Sequence, residues 1–222
     1  MITVDGPAAA GKSTVARALA RRLGFRYLDT GAFYRAVTWK ALQSGTSMSD
    51  PRRLAEVAES ARIELRPDDA GLRVLCDGRD VTREIRTPEV TEKIYLVADE
   101  PTVRTVLRVR QRHFGRRWDL VAEGRDQGTE VFPDADAKFF LDASLKERIR
   151  RRRKDLAEGG KELPVEQVAA QLVDRDRRDR SRPVGALRKT EDMVVLDSTD
   201  MTVDEVVEAM VREVRRRGLV AD

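Results

Sequence analysis

In 222 residues the sequence has one cysteine, Cys76, and one histidine, His113. A lone cysteine excludes an internal disulfide framework and a cysteine-based metal cluster, and it fits a reducing cytoplasm. With a lone histidine, a zinc site or a Ser-His-Asp triad has too few partners, so His113 is expected to be a plain surface side chain. Aromatic residues make up only 5% of the chain. The core must therefore be built from Val, Leu, Ile and Ala, with Trp39 and Trp118, flanked by apolar neighbours, packed into it. No run of about 18 apolar residues occurs, which excludes a membrane-spanning helix. The opening Met1-Ile2-Thr3-Val4-Asp5-Gly6 has no basic stretch followed by a long apolar one, so no secretory leader is expected. What is abundant is charge, at 37% of residues beside 41% hydrophobic ones. The length suits one compact domain with one or two insertions. The net charge of +4 is unevenly placed: Leu145 to Arg182 holds 13 Lys/Arg against 8 Asp/Glu. Such a segment meets nucleic acid, lipid headgroups or a small polyphosphate, and charge alone does not choose among them.

The chain opens as strand, glycine loop and helix. Ile2-Thr3-Val4-Asp5 is a short apolar run that stops at Gly6-Pro7, and Val15, Leu19 and Leu23 then recur every four residues until Gly24. Phe25 to Leu28 reads as a second strand, and Thr30-Gly31 leads into a helix through Phe33, Val37 and Leu42. Beyond Pro51 the period changes. Ile63-Glu64-Leu65 and Leu72-Arg73-Val74-Leu75 alternate around the turn residues Pro67 to Gly71, which predicts an antiparallel hairpin, with Cys76 as packing rather than a reactive thiol. Helices follow over Pro88–Ala98 and Pro101–Phe114, each with proline in its first turn. Leu120–Ala122, Ala137–Leu141 and Met193–Leu196 are continuous apolar runs, expected for parallel strands covered on both faces. Thr202 and Glu205 form a capping-box pattern ahead of a stripe of Val203, Val206, Val207, Met210, Val211 and Val214. The sum is a doubly wound α/β core interrupted by a hairpin insertion and a basic helical excursion.

Gly6-Pro7-Ala8-Ala9-Ala10-Gly11-Lys12-Ser13 satisfies G-x-x-x-x-G-K-[ST] between a predicted strand and a predicted helix. Glycine at each end lets the backbone turn so that successive N–H groups converge on phosphate oxygens. Lys12, read as an exposed loop lysine, would reach the β- and γ-phosphates of ATP, and Ser13 would offer its hydroxyl to Mg²⁺. A guanine-reading Asn-Lys-x-Asp segment is missing, which argues against a GTPase, and the length leaves little room for a motor or helicase.

Three further segments narrow the acceptor. They are Leu28-Asp29-Thr30-Gly31-Ala32-Phe33-Tyr34-Arg35, Glu123-Gly124-Arg125-Asp126-Gln127-Gly128-Thr129, and Arg175-Asp176-Arg177-Arg178-Asp179-Arg180-Ser181-Arg182. With the phosphate loop and Asp197-Ser198-Thr199, they resemble the bacterial cytidylate kinases over almost the whole chain. The resemblance implies the α/β fold of P-loop nucleoside monophosphate kinases: a parallel core sheet flanked by helices, a β-hairpin-containing substrate-binding insertion and a helical lid. It implies a single kinase domain with core stretches 1–60, 117–145 and 185–222, a monophosphate-binding insertion at 61–116 and a lid at 146–184. The implied activity is transfer of a phosphoryl group from ATP, with Mg²⁺, to CMP and dCMP. The implied setting is a cytoplasmic monomer with small nucleotides as partners and no nucleic acid or membrane.

The residues suit that chemistry. A monophosphate acceptor has a second pKa near 6 and is already largely dianionic at neutral pH, so no general base is needed. The obstacle is two polyanions in contact, and the remedy is a cage of fixed cations. By resemblance, Thr30, Arg35 and Arg125 hold the acceptor phosphate. Asp126 and Arg104 read cytosine, Arg175 and Asp179 contact the ribose, and Arg182 supports the base site. A carboxylate accepts from the N4 amino group of cytosine and repels the oxygen of uracil at that place, so CMP is expected over UMP. The catalytic set is Lys12, Arg125, Arg148 and Arg152. Arg148, Arg151 and Arg152, at i, i+3 and i+4, would form one cluster on the lid helix, while Arg150 and Arg153 point to solvent. Three positions depart from the family. Tyr95 stands where Ser usually helps to bind the base, leaving base contact and subdomain packing both open. Glu123 replaces Asp at a strand end, and Gln127 stands where Met is usual, with no role assigned. Two rivals are a kinase for another acceptor, UMP or a shikimate-like compound, and a nucleic-acid-binding ATPase. Against the second, Asp174, Asp176 and Asp179 would repel a phosphate backbone.

Overall fold

The computed structural model of the chain describes residues 1–68, 71–116 and 118–220. It opens with β1 (Ile2–Asp5), α1 (Lys12–Leu23), β2 (Arg26–Asp29) and α2 (Gly31–Gln43). Next come α3 (Pro51–Ser60), β3 (Ile63–Asp68), β4 (Gly71–Cys76), β5 (Arg79–Asp80), α4 (Pro88–Ala98) and α5 (Pro101–Gly115). The last part holds β6 (Leu120–Gly124), a π-type turn at Gln127–Val131, β7 (Ala137–Asp142), α6 (Leu145–Glu158), α7 (Val165–Ser181), β8 (Val194–Asp197) and α8 (Val203–Arg216). These elements pack into two units, Met1–Tyr27 with Arg117–Asp222, and Leu28–Arg116. The division differs from the expected one: Leu28 to Ser60, assigned to the core with residues 1–27, packs with residues 61–116.

The first unit is built on a sheet of order β2-β6-β1-β7-β8. Its central β1 runs parallel to both β6 and β7, with Asp5 opposite Gly124 on one side and Phe140 on the other. Ile2 to Asp5 are all completely buried, as continuous apolar runs between two covered faces require. Parallel strands deliver their C-terminal ends to one edge, so the loops after β1, β6 and β7 leave side by side. Val15 and Leu19 of α1 and Val206, Met210 and Val214 of α8 close the core against Val4, Val121 and Phe139. Each such side chain contributes about 1.5–3 kcal/mol on burial. The expected capping box is formed, Thr202 Oγ1 accepting from the Glu205 N–H while the Glu205 carboxylate accepts from the Thr202 N–H. Two expectations fail here. The Met193–Leu196 run does not make a strand covered on both faces, because β8 is the sheet edge and Val195 is 43% exposed. Trp118 is not in the core but 46% exposed, with the Arg26 guanidinium 3.4 Å above its ring.

The second unit packs α2, α3, α4 and α5 around an antiparallel sheet of order β3-β4-β5. The hairpin has the predicted strands, paired from Ile63 opposite Cys76 to Asp68 opposite Gly71. Asp69 and Ala70 of its expected turn lie outside the described residues. Strand β5, two residues long, has too little sequence to show a period. Cys76 is buried, and burial pushes its thiol up to about 11, consistent with packing. Trp39, expected in the core, is only half-buried, with Arg79 5.3 Å over its ring.

Candidate active site

The loop between β1 and α1 has the geometry that its glycines suggest. Gly6 has φ 154°, and a Cβ there would lie 3.0 Å from the carbonyl carbon of Leu141 in β7 and closer still to its oxygen. Only glycine lets the loop leave the sheet so closely. At the other end Gly11, with φ 91°, is the N-cap of α1, and the first turn of that helix has neither a capping side chain nor an acid. Its N–H groups and its positive dipole end are therefore available to an anion. Lys12 is not exposed as expected but buried, its Nζ donating to the Pro7 carbonyl at 2.7 Å. Burial first, and then the nearby charge of Arg125, brings its pKa down to about 7.

The hydroxyl of Ser13 donates to Glu123 Oε1 at 2.5 Å, and the phenol of Tyr27 donates to the same oxygen at 2.9 Å. Glu123, the departure at the end of β6, is thus a buried acceptor held over the first turn of α1. No group of three or more His, Cys, Asp or Glu side chains that could cage a metal occurs among the described residues. A hydroxyl beside one carboxylate fits a cation that keeps most of its water and phosphate ligands, as Mg²⁺ does.

The lid segment brings two of the three expected arginines onto this loop. Arg148 is buried, pairs with Asp176 at 2.6 Å and donates to the carbonyls of Ala143 and Ala8. Arg151 donates to the Ala10 carbonyl at 3.1 Å, to the Ser198 carbonyl at 2.6 Å and to Glu147 at 2.8 Å. Hydrogen bonds from Arg150 and Arg151 hold the Glu147 carboxyl at about 2. Arg152, expected in the same cluster, is half-buried, and its charge bears on Asp155. Arg150 is exposed and paired with Glu147, which agrees with a solvated face. A cavity of about 400 Å³ opens here, lined by Gly11, Thr14, Arg151, Lys154, Met201 and Thr202 among others.

On the same unit, Asp179 in α7 is 2% exposed and shared by two guanidiniums, Arg125 and Arg182, each at 2.6 Å. Burial opposes its charge, yet Arg125, Arg182 and Arg175 together hold its carboxyl well below the usual range. Asp126 is buried at the start of the π-type turn. That turn is clamped by Asp5, which accepts from the Gln127 and Gly128 N–H groups at 2.9 and 2.7 Å. Burial raises the Asp5 pKa to about 6, against the pull of these two hydrogen bonds. The other expected acceptor residues belong to the second unit. Thr30 is buried at the N-cap of α2, and Arg35 donates to Thr91 Oγ1 at 3.0 Å. Arg104 donates to the Ala98 carbonyl at 2.9 Å, its guanidinium 5.2 Å over the ring of Tyr34. Tyr95 is 41% exposed on α4, which speaks against packing as its role. His113 is exposed, as expected.

A family model described as cytidylate kinase matches residues 2–216. The chain belongs to the cytidylate kinase family. It is 48% identical over 215 residues to a cytidylate kinase of Rhodopirellula baltica, covering 97% of this chain and 92% of that protein. A cytidylate kinase of Caldanaerobacter subterraneus subsp. tengcongensis is 45% identical, with 97% and 94% covered. A bifunctional pantoate ligase/cytidylate kinase of Synechococcus elongatus is 47% identical over 224 residues, and this chain spans 42% of it. A solved structure of an uncharacterized protein from Eubacterium ventriosum has a TM-score of 0.52 at 11% identity with 97% of each chain covered, a likeness of fold alone.

Sequence reasoning passed over several residues of this cytidylate kinase family member. Asp5 carries no motif of its own, and an acid at a strand end is usually solvated. Arg151 is distinguished from Arg152 only by Ser198, which hydrogen-bonds it from a loop 47 residues away. The signal for Asp176 was present, in that it falls three residues before Asp179 on one helix face.

Proposed function

We propose that this enzyme transfers the γ-phosphoryl group of ATP to CMP, and to dCMP, by direct in-line displacement at the acceptor phosphate. The observation that carries the proposal is the buried Asp179 holding Arg125 and Arg182 on the same unit as the phosphate loop, with Asp126 next in sequence to Arg125. The acceptor dianion takes over guanidinium N–H groups of Arg125, and Thr30 and Arg35 are assigned to the same phosphate. Asp126 accepts from the cytosine amino group, and Arg104 donates to ring acceptors. Arg175 and Asp179 are assigned to the ribose, and Arg182 to support of the base.

ATP places its phosphates over the Gly6–Ser13 loop and its nucleoside in the cavity beside Arg151 and Lys154. Lys12 exchanges the Pro7 carbonyl for phosphate oxygens and, with Arg148 and Arg152, offsets charge as the group transfers. Bound at Ser13, with Glu123 reaching it through water, Mg²⁺ would supply further charge neutralisation on the phosphates. No side chain needs to take a proton, which agrees with the exposed position of His113. Water exclusion falls to the lid helices α6 and α7. The same reading has the enzyme acting as a cytoplasmic monomer on small nucleotides, without nucleic acid. No helix of the described residues is long and apolar enough to cross a membrane.

The test is ADP release with CMP, dCMP, UMP and shikimate as acceptors. CMP and dCMP should stimulate ATP turnover far above the other two, and a failure of CMP to do so sinks the proposal. Asp126→Ala should narrow the CMP-over-UMP ratio in kcat/KM by at least about tenfold.

A further inference from the structure

Gln127 has no role in the chemistry so far, and its surroundings give it one. Its backbone is pinned on both sides, the N–H donating to Asp5 Oδ1 at 2.9 Å and the carbonyl accepting from the Phe132 N–H at 2.7 Å. The next residue, Gly128, is bonded to Asp5 Oδ2 at 2.7 Å, and a Cβ on it would lie 2.8 Å from Thr3 Oγ1, so the turn rests directly on β1. The path of the main chain is therefore fixed without help from the Gln127 side chain.

That side chain is 1% exposed. Its Nε2 donates to Asp126 Oδ1 at 3.3 Å, while its Oε1 is buried with no hydrogen-bond partner among the described residues. A carboxylate can only accept, so chemistry settles which end of the amide faces Asp126. For packing alone the arrangement is a poor one, because an apolar side chain of similar length would fill the space and leave no acceptor unmet. The amide is in place for its donor.

We infer that Gln127 is a positioning residue for base selection: its hydrogen bond fixes the plane of the Asp126 carboxylate and so the direction in which that group meets an incoming pyrimidine. A carboxylate held in one plane favours the amino group of cytosine and cannot turn aside to relieve its repulsion from the oxygen of uracil. One with a loose torsion can, and a broad terminal torsion is the ordinary state of an aspartate. The inference rests on Asp126 being the group that reads the base.

The experiment compares the full-length wild type, Gln127→Met, Asp126→Ala and the double variant, with CMP and UMP as acceptors. Gln127→Met keeps the length of the side chain and removes the donor together with the unmet acceptor. Its melting temperature should equal or exceed that of the wild type, its KM for ATP should hold, and its CMP-over-UMP ratio in kcat/KM should fall about tenfold. In the Asp126→Ala background the same change should leave the ratio where it was, since the two act through one contact. If Asp126→Ala collapses the ratio and Gln127→Met does not, the inference is wrong while the reading of Asp126 stands. If Asp126→Ala leaves the ratio intact, both fall. Should the methionine variant not fold, Gln127→Leu poses the same question, and an unaltered ratio there counts against the inference equally.

Discussion

Gly6→Ala puts the geometry of the phosphate loop under its hardest test. The added methyl would lie 3.0 Å from the carbonyl carbon of Leu141 and nearer still to its oxygen, where ordinary contacts between carbons are about 3.5–4.0 Å. Leu141 cannot easily retreat, because β7 is hydrogen-bonded to β1 on one side and to β8 on the other, with Leu141 opposite Leu196. Overpacking of this kind costs about 1–3 kcal/mol, and holding alanine at a sparsely populated φ costs about 1–3 kcal/mol more. For a chain of this size each kcal/mol lowers the melting temperature by about 2–4 °C, so the variant should melt roughly 4–20 °C below the wild type. Gly11→Ala is the control. At φ 91° its Cβ meets only the guanidinium tip of Arg151, at 3.4 Å, so backbone strain remains without a clash, about 1–2 kcal/mol. Thermal unfolding followed by circular dichroism gives both values. A Gly6→Ala melting point within about 1 °C of the wild type, or a larger loss for Gly11→Ala, would refute the argument.

Lys12→Met should lower kcat by about 10²–10³-fold or more, with CMP binding retained. Because its folded-state pKa of about 7 lies below the ordinary 10.5, the contribution of Lys12 to stability is complete above 10.5 and lost as pH falls through 7. The methionine variant should therefore gain more stability over the wild type at pH 6 than at pH 9, and urea midpoints at the two values check the sign. Asp5 has its pKa raised from 3.8 to about 6, so its contribution to stability is complete below 3.8 and gone once pH rises through 6. It is the charged form, however, that accepts both N–H groups of the Asp126 turn. The CMP-over-UMP ratio should accordingly fall between pH 7 and pH 5, a comparison in which the like ionisation of the two phosphates cancels; a flat ratio would count against the clamp. Asp179→Asn removes the charge shared by Arg125 and Arg182 and should cost about 3 kcal/mol in urea unfolding while raising the KM for CMP. An unchanged midpoint would show that the two guanidiniums do not depend on it.

What could be read in advance depended on how local the cause was. The phosphate loop was legible because its spacing, its flanking strand and its helix all lie within 23 residues, and every group that the loop presents is set by that stretch. The same holds for the Thr202 capping box and for the proline-led starts of α4 and α5. What depended on distant partners was not legible. Lys12 looks like a solvated loop lysine until the Pro7 carbonyl and the charges of Glu123, Arg125 and Asp179 are placed around it. Met193–Leu196 is as apolar as the inner strands, and only the sheet order shows that β8 has one neighbour. Residues Leu28 to Ser60 continue the strand-helix alternation without a break in composition, so the pattern gives no sign that they pack with the hairpin segment. Trp118 was misread for the opposite reason: an arginine beside an indole is a partner as well as a sign of solvent.

The pairing of Asp179 with Arg125 and Arg182, and of Asp176 with Arg148, means that the resting enzyme carries built-in counterions. A phosphate arriving there swaps places with a tethered carboxylate instead of settling on bare guanidiniums wrapped in mobile salt. Affinity for the monophosphate should then bend less with ionic strength than the same arginines would allow on an open surface, where added salt competes directly. Stray polyanions meet a cradle already neutralised from within, and only a ligand shaped to displace the carboxylates has much to gain by entering.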